Sequence, residues 1–313
     1  MKHALNRPAL LLAVLLLTSA AAPTPSDIES AAPPAAWAAI APDDLVVFDT
    51  PRGPFIMQLA PQFAPAHVAA IKAMVRRGAF SGGAVVRVQD NYVVQWAIPE
   101  TKVVPATPLP PEFERPLAGL TFTPIPGPDA YADAGGFIDG FPVAVDKSAK
   151  TVWLQHCYGM VGVGRGNAPD SGDGGELYAV IGHAPRHLDR NMAGVGRIVA
   201  GIENLSALPR GTEALGFYKT DRERLPITGA RMASDLPAPP RIEVMLTTSP
   251  SFADYMKARA NRSDPFFMRP AGAVVAFAAG AVVRPVPAER RCCSAATLAR
   301  RAASSAASSL LSS

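Results

Sequence analysis

Apolar and polar positions alternate on the scale of strands through much of this chain. Residues 80–96 read FSGGAVVRVQDNYVVQW: two β-branched runs, 84–88 and 92–96, flank the turn-forming Gln89, Asp90 and Asn91. That pattern predicts a hairpin. Upstream, apolar runs at 44–48 and 55–59 are separated by Arg52, Gly53 and Pro54, which predicts another. The period then changes. From Pro65, apolar residues recur at Val68, Ile71, Met74 and Val75, one face of an amphipathic helix ending at Gly78. Further strands are expected over 158–165, 176–182 and 193–199, the first two joined by a polar loop over 167–175. A short helix is expected over 202–208, a strand over 240–247 and a helix over 252–260.

Between these blocks, residues 98–157 are interrupted by prolines from Pro99 to Pro128, which precludes long regular elements. Strands are expected there only at 137–145 and 151–156. An excursion of this length inside a domain reads as a functional loop or an added lobe. The whole-chain composition agrees with a loop-rich, β-dominated protein: 32 prolines and 25 glycines accompany 49% hydrophobic and 7% aromatic residues. The 313 residues allow one large or two modest domains. Thirty basic against 26 acidic residues give +4, and no Lys/Arg stripe marks a nucleic-acid footprint.

The two ends differ from the middle. Lys2 and Arg7 precede an apolar run over 9–17 and the small residues Ser19, Ala20 and Ala21. Residues 1–21 therefore read as a secretory signal peptide, too short to span a bilayer. This implies a chain secreted across the inner membrane and working in the periplasm. Residues 22–42 read as a Pro/Ala-rich linker and 263–313 as a low-complexity tail, leaving a domain over 43–262 with 98–157 as its insertion. The abrupt change of style after Arg269 fits either a disordered tail or a shifted reading frame.

Within the apolar hairpin, Arg87 sits among valines and Gln95 follows Val93 and Val94. Burying a cation and an amide unpaired is costly, so these side chains either face solvent or serve a site. Other chemistries are poorly supported. Cys157, Cys292 and Cys293 do not form a disulfide framework. His67, His156, His183 and His187 lack metal-ligand spacing, and Pro185 separates the last two. The run 162–166, GVGRG, lacks the strand–GxGxxG–helix context of a nucleotide loop. Asp170, Asp173 and Glu176 do not follow the EF-hand order, and Ser171 lacks a nucleophile elbow.

Four patches in serial order resemble the cyclophilin-type peptidyl-prolyl isomerases. They are DTPRGPFIMQLAPQFAPAHVAAI (49–71), FSGGAVVRVQDNYVVQ (80–95), GMVGVGRGNAPDSGDGGELYAVIG (159–182) and APRHLDRNMAGVGRIVAGIENLSAL (184–208). The resemblance implies a closed antiparallel β-barrel capped by two helices, mainly β, with the Pro-rich insertion added. It places Arg87 on the family's catalytic arginine and Gln95 on its supporting glutamine. Tyr92 and Val93 fall on the apolar floor, and Tyr178 replaces a phenylalanine of the proline pocket. Leu177 and Leu188 fall among the substrate-binding positions. Glu176 stands where an amide is usual, His187 where tryptophan is common and Met192 where histidine is frequent. Val86 replaces a histidine and Trp96 a glycine.

The implied reaction is rotation about X–Pro bonds of exported proteins, with no cofactor and no metal. The implied partners are proline-containing polypeptide clients, without nucleic acid or stable membrane insertion, and a monomer is expected. The altered positions at 176, 187 and 192 leave an alternative: a catalytically weak module of the same fold that binds proline-containing peptides or a protein partner.

Overall fold

The computed structural model describes residues 22–102, 109–167, 170–262, 266–268 and 282–286; residues 1–21 and Cys292 and Cys293 lie outside them. The strands, in chain order, are β1 Trp37–Ala39, β2 Leu45–Asp49, β3 Phe55–Leu59, β4 Gly83–Val88, β5 Val93–Ala97, β6 Arg115–Pro116, β7 Thr123–Pro124, β8 Ala134–Ile138 and β9 Phe141–Asp146. They continue as β10 Thr151–Leu154, β11 Met160–Val163, β12 Glu176–Val180, β13 Gly194–Ala200, β14 Pro226–Ile227, β15 Gly229–Met232, β16 Ile242–Met245 and β17 Val283–Pro285. The helices are α1 Pro25–Ala31, α2 Pro65–Arg76, α3 Glu203–Ser206 and α4 Pro250–Ala260.

Nine strands form one antiparallel sheet in the order β14-β4-β5-β12-β11-β13-β3-β2-β15. The terminal members β14 and β15 are separated by Thr228 alone. Pro226 and Ile227 pair with Ala84 and Gly83, while residues 229–232 pair with Asp49, Phe48, Val47 and Val46. The Thr228 N–H also donates to the Asp49 carbonyl at 2.9 Å. One short segment thus joins both edges, and closure removes the unpaired backbone an open sheet would expose. Alternate residues fill the interior. Phe48 stacks on Phe55 at 4.8 Å, and both meet Trp96 edge-on.

Helix α2 caps the barrel with Val68, Ile71, Met74 and Val75. Its first turn has no capping side chain of its own. Glu112, from the excursion, accepts the Ala66 and His67 N–H groups at 2.9 and 3.0 Å and His67 Nδ1 at 2.7 Å. An acceptor with negative charge satisfies orphan donors there and complements the helix dipole. The other cap, α3, is a single turn rather than the helix expected over 202–208. Pro209 restricts the residue before it and stops the helix early.

The excursion folds into a second antiparallel sheet, β6-β10-β9-β8-β7. The strand expected over 137–145 is two strands, because Asp139 and Gly140 adopt φ of 49° and 80° and turn the chain into a hairpin. Ile138, Phe141, Val143, Val145, Val152 and Leu154 pack with Ala60 and Phe63 of the link between β3 and α2. The buried Arg197 of β13 fastens the hairpin tip: it donates to Gln58 Oε1 at 2.9 and 2.7 Å and to the Gly140 carbonyl at 2.5 Å.

Residues 22–42 correct the reading of a linker. Thr24 and Asp27 form a reciprocal capping box on α1, and β1 pairs with β16. Proline spacing suggested an unstructured run, whereas Trp37 and Ile40 bury against later strands. The stretch 263–313 likewise contributes structure within its described residues, since β17 pairs with β16. No described helix is long and apolar enough to cross a membrane.

Replacing Glu112 by alanine strands buried donors of α2 and His67. Unfolding free energy in urea is expected to fall by about 1–3 kcal/mol, with Glu112→Gln losing less.

Candidate active site

Strand alternation divides β5 and β12 between two environments. Val94 and Trp96, with Leu177 and Ala179, point into the barrel. Val93, Gln95, Glu176, Tyr178 and Val180 occupy the outer face. On β4 simple alternation fails, because Val85 and Val88 both belong to the interior cluster although they lie three residues apart. The ladder accommodates this with a bulge: Val85 pairs with Trp96 and Arg87 with Gln95, leaving Val86 as the extra residue. A bulge re-aims the side chain beside it. Here it turns Arg87 to the outer face.

The guanidinium is held on three sides. Its Nε donates to the Leu215 carbonyl at 2.7 Å and one terminal nitrogen to Gln95 Oε1 at 3.1 Å. The other terminal nitrogen bonds Gln89 Oε1. The rings of Tyr92 and Phe217 flank it at 5.5 and 5.2 Å. Three of the five guanidinium N–H groups are engaged in this way, which leaves two for a ligand. Burial lowers the Arg87 pKa, opposed by Tyr92 and Glu176, yet an arginine so held remains a cation.

Beside Arg87 lies a cleft of about 110 Å³ lined by Tyr92, Val93, Gln95, Gly164, Arg165, Tyr178, Leu188 and Met192. The expected residues thus come together, with three qualifications. Leu177 does not belong, since it faces the barrel interior and is fully buried there. Glu176 stands behind the lining and accepts the Gln95 amide. His187 stacks on Tyr92, with rings 5.9 Å apart and nearly parallel, and so braces the rim. Burial raises the Glu176 pKa, partly offset by Arg87. Burial also holds the Tyr178 hydroxyl well above its ordinary value, so it is neutral.

Several contributors carried no legible signal. Leu215 supplies a backbone carbonyl, and Gln89 looked like a turn residue. The glycines of GVGRG answer to packing rather than phosphate binding. A Cβ on Gly162 would meet the Tyr178 hydroxyl at 2.3 Å, and one on Gly164 would meet Glu176 Cγ at 2.9 Å. Among the described residues no group of three or more His, Cys, Asp or Glu side chains could hold a metal ion.

A closed barrel bearing a fixed cation beside a cleft of mixed apolar and polar lining on its outer wall can assist a bond rotation without a nucleophile. Comparison with known proteins agrees. Residues 45–231 match the family "Cyclophilin type peptidyl-prolyl cis-trans isomerase/CLD". The chain is 26% identical over 173 residues to a "Probable peptidyl-prolyl cis-trans isomerase" of Brucella suis biovar 1, covering 55% of this chain and 75% of that one. A protein of the same name from Brucella abortus is 25% identical over the same length and shares of each chain. The crystal structure of cyclophilin AquaCyp293 from Hirschia baltica superposes with a TM-score of 0.62 at 27% identity, covering 80% of this chain and 93% of that one. The chain belongs to the cyclophilin-type peptidyl-prolyl cis-trans isomerases.

A carboxyl whose pKa rises on folding penalises the ionised folded state above that pKa, and the penalty fades as pH falls through it. Glu176→Gln keeps an acceptor for Gln95 and removes the charge. It is expected to melt no lower than the parent near about pH 8, with any advantage shrinking toward about pH 4. Melting scans at both values check this.

Proposed function

We propose that the chain is exported to the periplasm and isomerises X–Pro bonds of proline-containing clients there, assisting their folding as a monomer without a cofactor. The observation that carries this reading is Arg87, bonded on three sides at the edge of a cleft with an apolar wall, with N–H groups to spare.

The chemistry asks for little else. Twisting an imide must break amide resonance, against a barrier of about 18–20 kcal/mol, and forms no new bond. Val93, Tyr178, Leu188 and Met192 offer an apolar socket for the proline ring. As the prolyl nitrogen loses planarity it gains a lone pair, and a guanidinium N–H aimed at it stabilises the twisted state more than either planar one. Gln95 keeps the guanidinium in register, and Glu176 in turn orients the Gln95 amide. A fixed, preorganised donor does not have to reorient during the reaction.

In a protease-coupled assay on a proline tetrapeptide, Arg87→Ala is expected to lower kcat/KM by at least about tenfold, the effect of about 1.4 kcal/mol. Arg87→Lys should recover part of it, since it restores the charge without the planar fork. Equal activity in parent and alanine variant would reject the mechanism. Peptide binding without turnover in the parent would transfer support to the binding-module alternative. Export rests on residues 1–21, so fractionation of cells producing the full chain should place it in the periplasm, and removal of 1–21 should retain it in the cytoplasm.

A further inference from the structure

We propose that His156 and Asp189 are positioning residues for the proline pocket, and that through them the inserted lobe is a working part of the active site. This rests on the isomerase reading above. The phenolic oxygen of Tyr178 is buried beneath the cleft, 2.8 Å from Nε2 of the buried His156. The ring lies over Gly162, where a Cβ would collide with it. The other imidazole nitrogen, Nδ1, is 2.9 Å from Asp189 Oδ1. A carboxylate only accepts, so Nδ1–H donates to it, and in the neutral imidazole Nε2 accepts the Tyr178 O–H.

Asp189 gathers further donors. It accepts the His156 backbone N–H at 3.0 Å, the Trp153 indole N–H at 3.2 Å and Arg186 Nε at 2.5 Å. Arg186 continues to Asp129 in a two-pronged pair at 3.0 and 3.1 Å. Asp129, Trp153 and His156 all come from the insertion, whereas Asp189 follows Leu188, a wall of the cleft. One carboxylate therefore fixes two walls: Leu188 along the chain and Tyr178 through the imidazole. Burial alone would raise the Asp189 pKa, but the His156 hydrogen bond and the Arg186 charge outweigh it and hold the group below its ordinary value.

A phenylalanine at 178 with an apolar neighbour would fill the same space without burying an imidazole and a carboxylate. A satisfied buried network earns its place by specifying one arrangement. Here the arrangement specified is the width of the socket that receives the proline ring. Tyr178 is the group that touches substrate; His156 and Asp189 act through it.

Two substitutions at His156 separate positioning from bulk structure. Asparagine keeps a group near Nδ1 and loses the one near Nε2; glutamine does the reverse. On the full chain, His156→Asn and Tyr178→Phe are each expected to raise KM for a proline tetrapeptide about five- to tenfold, with kcat within about twofold. His156→Gln keeps a partner for Tyr178 but gives up the Asp189 bond, so it should recover only part of that loss. The Tyr178→Phe/His156→Asn double variant should be no worse than either single one, the non-additivity of residues acting through one bond. Equal losses for Asn and Gln, an additive double variant, or a fall in melting temperature with unchanged KM would overturn the proposal. If His156→Asn fails to fold, Tyr178→Phe decides alone, and an unchanged KM overturns it. If the parent does not turn over peptide, the isomerase reading fails by itself, and the same ratios are read from peptide Kd by NMR titration.

Discussion

One extra residue in one strand decides where the chemistry sits. Without the bulge at Val86, period-two alternation from Val85 would send Arg87 into the barrel among Phe48, Phe55 and Trp96. A cation there would lack both water and a carboxylate, at a cost of several kcal/mol. With the bulge, Val85 and Val88 both fill the interior and the guanidinium emerges next to Gln95. The interior and the site thus share three adjacent strands, β4, β5 and β12, back to back. Rigid packing behind the sheet gives the outer face a stiff platform, which matters for a donor that must not move during reaction.

The loops on that face are held by polar contacts as well as by apolar packing of Tyr218, Leu188 and Met192. The Leu215 carbonyl takes Arg87 Nε, and the Tyr218 N–H returns to the Val86 carbonyl at 3.0 Å. The bulged residue therefore has its carbonyl satisfied by the same loop that grips the arginine. On the other side, Asn91 turns the β4–β5 hairpin with φ of 49°, and its Oδ1 accepts the His183 N–H at 2.7 Å. That bond ties the hairpin to the segment carrying His187, Leu188 and Met192. A short turn and a carbonyl thus set the two rims of the cleft.

The insertion is integrated by buried charge at three points. Glu112 closes the start of α2, Arg197 pins the hairpin tip at Gly140, and Asp189 collects Trp153 and His156. Each places an ionisable group in a poorly hydrated setting and then supplies several partners, the condition under which such groups are tolerated. The lobe also has its own apolar core over Ala60 and Phe63. Contacts of both kinds give a single body in which the excursion touches the cap, the barrel wall and the pocket floor.

Local chemistry in the sequence was enough to specify the first hairpin, helix α2, the β4–β5 hairpin and the pair Arg87 and Gln95, because periodicity, turn residues and family-like patches are all short-range signals. It also singled out Tyr92, Val93, Tyr178, Leu188 and Met192, which the structure gathers around one cleft. It misjudged Leu177, since adjacent strand residues face opposite ways and a linear motif does not record which face is which. It read 22–42 as a linker because proline and alanine dominate there, although the Thr24–Asp27 capping box was visible in the text. The bulge, the barrel seam at Thr228, the Leu215 carbonyl and the joining of His156 to Tyr178 belong to tertiary structure alone. The last three join residues 22 to 179 positions apart, and such contacts become favourable only after the strands between them have closed into a barrel; the bulge is local to one hairpin, but no single residue type marks it.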